Sequence, residues 1–340
     1  MTDKERILEY LNGGSIGKID LSGGDLKGMN LMNANLQNAI LQKSNLQGAN
    51  LQGANLSPEL KFPLRICNLE AANLAGANLS SANLSNAYLS DANLTDSNLT
   101  NADLTDAFLY GANLTRANLT NADLSSSKIK RFKCFNDLTE DFYILSRTKP
   151  YTCLAETNLT DTNLTDANLI GVDLTSADIY RTILTRTNLL GAFLVCAKIQ
   201  NTDLRLANLS GANLIWAKLD SVNLSSVYLS NTKLSDCWIS NSDLSFSNFS
   251  GVDLSNTSLQ RANLTGANLS KANLSKAVLI NANLTKAILT YANLYRANLF
   301  EANLTDADLT GANLKGSDRA YTITKGAKMP KQNLFGLICF

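Results

Sequence analysis

Residues 262–277 read ANLTGANLSKANLSKA, and leucine falls at every fifth position, at Leu264, Leu269 and Leu274. A column of bulky apolar residues with this spacing runs through most of the 340-residue chain. Its members are leucine at nearly every one of 54 positions. The exceptions are also bulky and apolar: Ile129, Ile179, Ile199, Ile239 and Phe249. A five-residue period therefore decides the fold.

Neither regular secondary structure buries a column with this spacing. Five residues of an α-helix turn the chain by about 140°, so the leucines would scatter around the helix. A flat strand would send successive leucines to opposite faces. A chain that turns a corner after each short extended piece keeps them together. Within Ala-Asn-Leu the alanine and the leucine then point inward, and the two polar residues that follow form the turn.

The units Ala34-Asn35-Leu36, Ala102-Asp103-Leu104 and Ala312-Asn313-Leu314 show the motif A-(D/N)-L-x-x. This motif resembles the pentapeptide repeat family, and the ends of the chain resemble those of cyanobacterial members. The resemblance implies an all-β fold, a right-handed quadrilateral β-helix with four pentads per coil. The sequence adds a short N-terminal capping helix, because Ile7, Leu8 and Leu11 recur at helical spacing before Gly13-Gly14.

Breaks in the column predict the organisation of the chain. Leu56 and Leu69 are thirteen residues apart, which predicts three residues bulging out beyond two pentads. Pro58 and Pro63 oppose continuous pairing there. The predicted segments are a cap over 1–15, repeats over 16–129 with a bulge near 57–68, an insertion over 130–153, repeats over 154–314, and a C-terminal cap and tail over 315–340.

The insertion 130–153 is rich in phenylalanine, tyrosine and lysine. It is either a recognition loop or a segment folded back on the coil wall. Cys134 and Cys153 bracket it, so they are candidates for a disulfide at its base, with free thiols as the alternative.

Composition argues against catalysis and against bound cofactors. The chain has no histidine, six cysteines without a C-x-x-C pair, no glycine-rich phosphate loop and a net charge of +1. We therefore predict a noncatalytic protein with no metal and no cofactor. It has neither a signal peptide nor an apolar run of about 18 residues, which predicts a cytoplasmic protein without a membrane span.

Protein binding is the remaining class, and one group of outward positions indicates where it occurs. With twenty residues per coil, Val195 stacks on Ile215, Cys196 on Trp216 and Lys198 on Lys218. Exposed apolar strips with tryptophan are typical of protein contacts. Burial of this strip under the insertion is the alternative interpretation. The predicted partner-binding residues are Phe193, Val195, Cys196, Lys198, Ile215, Trp216, Lys218 and Trp238.

Charge is uneven along the chain and bears on two other partners. Residues 69–178 hold 14 acidic and 7 basic residues, and residues 261–340 hold 4 acidic and 10 basic residues. Some members of the resembled family protect a type II topoisomerase by mimicking DNA. A near-neutral chain departs from that pattern, so mimicry is kept only as the alternative function. Nucleic acid is disfavoured as a partner because no aromatic residue interrupts the column of Lys276 and Arg296. The sequence indicates no oligomeric state.

Overall fold

The computed structural model describes residues 1–12, 19–58, 67–126 and 152–330. The chain divides into a first unit, Met1–Phe193, and a second unit, Leu194–Phe340. The same kind of coil forms both units. Most of the predicted bulge and insertion, and residues 331–340 of the predicted tail, lie outside the described residues.

Backbone pairing repeats every twenty residues. In the second unit Asn263 pairs with Asn283 in a parallel bridge, and Asn283 pairs with Asn303. Leu264 N donates to Asn283 O at 2.7 Å, while Asn283 N donates to Ala262 O at 2.9 Å. Twenty residues are four pentads, one for each side of the coil. The chain therefore folds as a right-handed quadrilateral β-helix, which confirms the predicted class.

The two inward columns form the core. Leu264 and Leu269 have no exposed surface, and Ala262 is equally enclosed with 1% of its surface exposed. Burial of each leucine stabilises the coil by about 1.5–3 kcal/mol relative to exposure. Threonines in the small column donate to the neighbouring coil, as Thr257 Oγ1 does to Leu234 O at 2.7 Å. Serines such as Ser97 donate within their own turn, in this case to Leu94 O at 2.7 Å.

The asparagine between the inward alanine and leucine makes two kinds of hydrogen bond. Its side-chain oxygen accepts the backbone N–H two residues later, as Asn273 Oδ1 does from Ser275 N at 3.2 Å. Its amide donates to the equivalent residue of the preceding coil, as Asn293 Nδ2 does to Asn273 Oδ1 at 3.1 Å. Asparagine fits because it both accepts and donates, whereas a column made only of aspartates would stack like charges.

Each corner is a tight turn closed by one hydrogen bond. Ala267 N donates to Leu264 O at 3.0 Å, and Gly266 between them has φ of +65°. The second residue after each inward leucine repeatedly takes this left-handed conformation, with glycine, asparagine or aspartate at many corners. Bulky residues also occupy corners, among them Trp216, Phe246 and Tyr291. These are the conformations that bulky side chains least favour.

Three short strands supplement the single bridges. The first unit contains β1, Asp178–Tyr180. The second unit contains β2, Lys198–Gln200, and β3, Lys218–Asp220, which pair in parallel with Lys198 opposite Lys218. In each strand the central residue points inward and is buried. The strands are therefore ordinary walls of the coil in which three consecutive residues, instead of one, are assigned to pairing.

Helix α1 spans Asp3–Asn12 and covers the first coil. Thr2 caps it, because Glu5 N donates to Thr2 Oγ1 at 3.2 Å and Thr2 N donates to Glu5 Oε2 at 2.6 Å. Arg6 Nη2 donates to Asp20 O at 2.8 Å. Ile7 is completely buried, but Leu8 is 47% exposed. The prediction that Leu8 shares the apolar side is therefore wrong, because one helical step of about 100° turns it away from the coil.

The register corrects the predicted size of the first excursion. Ile40 pairs with Asn68, and Asn55 pairs with Asn83, both 28 residues apart. Each of these separations exceeds one coil of 20 residues by eight, whereas the leucine spacing predicted an excess of three. Phe108 pairs with Cys153, 45 residues later, which exceeds one coil by 25 residues. The ladder resumes at Cys153, which occupies the position before Leu154 and pairs through its backbone.

Backbone pairing also continues beyond the last inward leucine. Asn303 pairs with Ile323, and Asp308 pairs with Lys328. The column would next require leucine at 319 and 324, where the chain has Arg319 and Thr324. The described part of the predicted cap and tail is therefore one further coil without the leucine core, since bridges need only backbone groups.

Aromatic corner residues cover glycines of the following coil, which yields a stability prediction. A Cβ on Gly311, which has φ of +71°, would lie 2.6 Å from Tyr291 Cδ1. Gly311→Ala should cost about 1 kcal/mol for the backbone and about 1 kcal/mol more for displacing the ring. Gly251→Ala is the matched control, because φ is +70° there and nothing lies within 4 Å of the added carbon.

Chemical denaturation of the two glycine variants measures the difference between them. Tyr291→Ala should remove the extra cost when combined with Gly311→Ala. Equal destabilisation by both glycine variants would contradict a role for the ring.

Candidate protein-binding surface

The register brings seven of the eight predicted partner-binding residues onto one edge of the second unit. Pairing of β2 with β3 sets Lys198 beside Lys218, and Lys218 pairs in turn with Trp238. Cys196 N donates to Ile215 O at 3.2 Å, which holds the corner of Val195 and Cys196 beside the corner of Ile215 and Trp216. We call this group the tryptophan edge: Val195, Cys196, Lys198, Ile215, Trp216, Lys218 and Trp238.

Phe193, the eighth predicted residue, belongs to the first unit. It is the last residue of the first unit, where it is half-buried and its backbone pairs with Asp173. It stays a predicted contact residue and is not part of the tryptophan edge as defined.

Both indoles of the tryptophan edge face solvent. Trp216 is 61% exposed and Trp238 is 60% exposed, whereas Val195 and Ile215 are half-buried beside them. Most corresponding positions of other coils carry serine, threonine, asparagine or another polar residue. Exposed tryptophans with apolar neighbours are the composition expected of a protein contact.

One lysine of the tryptophan edge contacts an aromatic ring. Lys218 Nζ lies 5.3 Å from the centroid of the Trp238 ring, within the range of a cation–π contact. Trp216 stands at a corner with φ of +61°. A bulky residue in this conformation costs free energy of order 1–3 kcal/mol. The same positive φ recurs at corners throughout the coil, so it is a property of the fold and not of this edge.

A second apolar edge was missed by the sequence analysis. Leu206, Tyr228 and Phe246 are exposed on successive coils of the second unit. The ring of Phe246 covers Gly266, whose added Cβ would lie 2.8 Å from Cε1. The same twenty-residue column rule would have found Leu206 and Phe246, because both replace a small or polar corner residue. We call these three residues the phenylalanine edge.

Ion pairs link corners of the first unit. Arg116 binds Asp96 through two hydrogen bonds of 2.6 Å, and Arg181 binds Asp161 in the same way. The arginine hydrogen bonds lower the pKa of the Asp96 and Asp161 carboxyl groups. Arg186 pairs similarly with Asp166 and lowers its pKa. Three carboxylates of the acidic part of the chain are thus neutralised locally.

The cysteines fall into separate classes. Cys67 and Cys237 are buried free thiols in the small inward column, and Cys196 is an exposed free thiol. Burial raises the pKa of Cys67 and of Cys237 to about 12. Cys153 is disulfide-bonded. Cys134 lies outside the described residues, so its pairing with Cys153 stays a prediction.

In the described ranges, 1–12, 19–58, 67–126 and 152–330, no group of three or more cysteine, aspartate or glutamate side chains is arranged to hold a metal ion. No helix in those ranges combines the length and apolar character needed to cross a membrane.

Comparison with known proteins places these features in a family. The family model for pentapeptide repeats matches eight times, over residues 18–57, 67–106, 92–131, 152–191, 173–211, 207–245, 247–285 and 277–316. No curated protein matches the chain significantly in sequence.

Several solved structures resemble the chain. HetL, a pentapeptide repeat protein involved in heterocyst differentiation regulation from the cyanobacterium Nostoc sp. strain PCC 7120, is 25% identical over 97% of this chain and 98% of its own, with a TM-score of 0.32. Rfr23 from the cyanobacterium Cyanothece 51142 is 31% identical over 34% of this chain and 90% of its own, with a TM-score of 0.28. QnrB1, a plasmid-mediated fluoroquinolone resistance protein, is 17% identical over 72% of this chain and 92% of its own, with a TM-score of 0.30. Because the repeat model covers well over half of the residues, this chain belongs to the pentapeptide repeat family.

Proposed function

We propose that this chain is a noncatalytic, cytoplasmic scaffold that binds a partner protein through the tryptophan edge. The observation that carries the proposal is the pair of exposed indoles, Trp216 and Trp238, on adjacent coils of a largely polar surface. Tryptophan is enriched among residues that dominate binding free energy, and burial of two such rings supplies a large apolar contact.

Charge on the edge defines the chemistry of the partner. Lys218 lies over the Trp238 ring, and Lys198 is exposed beside it. Asp236 follows Trp216 at the same corner one coil later and is half-buried. A matching partner surface therefore has an apolar pocket for the indoles with a carboxylate placed to meet the lysines.

Topoisomerase protection by DNA mimicry has one observation in its favour. The described residues of 67–126 and 152–193 hold 11 acidic and 3 basic residues. Their placement opposes it, because the register, with its 45-residue step from Phe108 to Cys153, puts Asp91, Asp96, Asp106 and Asp166 at four different corners. DNA presents its phosphates as continuous negative rows, which a corner-scattered set does not reproduce. Arg116 and Arg186 further neutralise two of these carboxylates. Protein binding is therefore the preferred function.

The test replaces both tryptophans and measures the binding of one purified partner protein. Trp216→Ser/Trp238→Ser should lose a partner that wild type captures from cells of the source organism. Leu206→Ser/Phe246→Ser, on the phenylalanine edge, removes similar apolar area and should retain it. The captured protein is then purified, and its binding to the three forms is measured by calorimetry. We expect at least a hundredfold loss for the tryptophan variant.

The proposal also predicts a contact at a defined position. A photo-crosslinking amino acid at position 216 should join the purified partner, and the same group at position 246 should not. Retention of the partner by Trp216→Ser/Trp238→Ser with full affinity, or crosslinking from position 246 alone, would refute the tryptophan edge as the binding surface.

A further inference from the structure

One wall of the second unit collects cations and tyrosines on three successive coils. It is centred on Leu274, Leu294 and Leu314, and the bridges Asn273–Asn293 and Asn293–Asn313 hold its coils in register. Lys276 N donates to Tyr295 O at 2.8 Å, and Arg296 N donates to Lys315 O at 3.0 Å. We call this group the basic wall: Lys271, Lys276, Tyr291, Tyr295, Arg296 and Lys315.

The cations of the basic wall are available to a ligand. Lys271, Lys276, Arg296 and Lys315 are all exposed. In the described part of the chain, none of the four forms an ion pair. The acidic residues of the same coils, Glu301, Asp306, Asp308 and Asp318, occupy other walls and corners. Asp253 lies on this wall one coil earlier, where it accepts from Asn273 Nδ2 at 3.0 Å. Over the three coils of the basic wall, the surface is therefore net positive.

The two tyrosines add aromatic surface between these charges. Tyr291 is 67% exposed, stands at a corner with φ of +57° and covers Gly311. Tyr295 is half-buried, and the Arg296 guanidinium lies 5.1 Å from its ring centroid. The absence of aromatic residues within the column of Lys276 and Arg296 disfavoured nucleic acid at the level of sequence. The register shows that the two tyrosines lie on columns next to that of Lys276 and Arg296, on the same wall. Aromatic residues therefore do accompany the cations.

We infer that the basic wall binds single-stranded nucleic acid. Cations that follow a phosphate backbone and rings on which bases stack are the two components of such sites. An acidic polypeptide would use the cations but would gain little from the exposed Tyr291 ring. Duplex DNA encloses its bases, so the rings would also contribute little to its binding.

The asparagines of the wall predict that binding has little sequence preference. Asn293 Oδ1 accepts from Tyr295 N at 3.2 Å and from Asn313 Nδ2 at 3.0 Å, while Asn293 Nδ2 donates to Asn273 Oδ1. Side-chain amides that would otherwise read base edges are engaged within the ladder. Stacking and charge tolerate any base.

Fluorescence anisotropy of the full chain with a labelled oligothymidylate of about 12 nucleotides tests the inference. Release of counterions from four cations predicts that affinity falls about 50-fold over a fourfold rise in salt. Lys276→Gln/Arg296→Gln should weaken binding at low salt and reduce that fall to about sevenfold. Arg261→Gln/Lys286→Gln removes two exposed cations at other corners and should behave as wild type.

The rings are tested separately from the charges. Tyr291→Ala should weaken binding about tenfold, and Tyr291→Phe should restore it, because either ring stacks on a base. Tyr321→Ala is the matched control, since Tyr321 is also an exposed corner residue with positive φ. Thermal melting of each variant checks that the coils remain folded.

Four outcomes would overturn the inference. They are no binding at low salt, an equal loss from the Arg261→Gln/Lys286→Gln control, equal affinity for a duplex of the same length, and unchanged binding by Tyr291→Ala. Tighter binding of labelled polyglutamate than of oligothymidylate, with no effect of Tyr291→Ala, would instead identify an acidic polypeptide as the ligand. None of these variants alters Trp216 or Trp238. Failure of the nucleic-acid inference would therefore leave the proposal for the tryptophan edge intact.

Discussion

Leu269→Asp is expected to unfold the coils around it. Leu269 has no exposed surface, and its neighbours in the inward column are Phe249 and Leu289, which are equally buried. A carboxyl group at this position meets hydrocarbon on every side of the shaft. Leaving it without a hydrogen-bond partner costs about 2–7 kcal/mol, and loss of leucine burial adds about 1.5–3 kcal/mol. The sum approaches the 5–15 kcal/mol stability of a typical domain.

Two further variants separate charge from size. Ser270→Asp places the same group one residue later, at a half-buried outward position, and should change the free energy of unfolding by less than about 0.5 kcal/mol. Leu269→Ala should cost about 2–5 kcal/mol because it leaves a cavity. Burial raises the pKa of an unpaired carboxyl, so Leu269→Asp should regain stability as pH falls and the group becomes protonated.

Hydrogen exchange followed by mass spectrometry is the suitable measurement. Stacked repeats contact chiefly their neighbours, so unfolding can be local and a single melting temperature would average over it. Amides of the pentads near residue 269 should lose protection in Leu269→Asp, while those of the first unit keep it. Full protection around Leu269→Asp would show that the leucine column is not the core.

Thiol reactivity is expected to differ by orders of magnitude between cysteines. Cys196 is exposed at a corner, whereas Cys67 and Cys237 have no exposed surface. Burial holds the pKa of both inner thiols near 12, which leaves about one molecule in ten thousand as thiolate at pH 8. Cys237 Sγ also donates to Leu214 O at 2.8 Å. In the folded protein, Cys196 should react with iodoacetamide within minutes and the inner pair should not react.

Peptide mapping after alkylation assigns each modification to its cysteine. Denaturant should make Cys67 and Cys237 as reactive as Cys196, which provides the internal control. Cys153 should be labelled only after reduction, since it is disulfide-bonded. The cystine peptide recovered before reduction tests whether Cys134 is its partner. Rapid native labelling of Cys237 would contradict its position in the inward column.

The sequence was sufficient for the corners and the inward columns because its period has a single geometrical solution, whereas the four pentads per coil were implied by the family resemblance. Only a corner after each pentad keeps the leucine column and the alanine column inside together. The same rule located Val195 beside Ile215 and Lys198 beside Lys218, since a coil of constant length fixes which residues stack. It failed at Leu8, where a lone helix packs one side chain, Ile7, and turns its neighbour to solvent. It also miscounted the step after Leu56, where the leucine spacing predicted an excess of three residues and the paired residues are eight more than one coil apart.

The sequence by itself determined the corners and the two inward columns of the coil. Tertiary structure decided which residues share a wall, which rings cover a glycine, and which carboxylates an arginine neutralises. These properties depend on contacts between residues about twenty or more positions apart and on side-chain directions at strained corners. Tyr291 and Tyr295 entered the basic wall for this reason: local sequence separates them from Lys276, whereas the stacking of successive coils makes them neighbours.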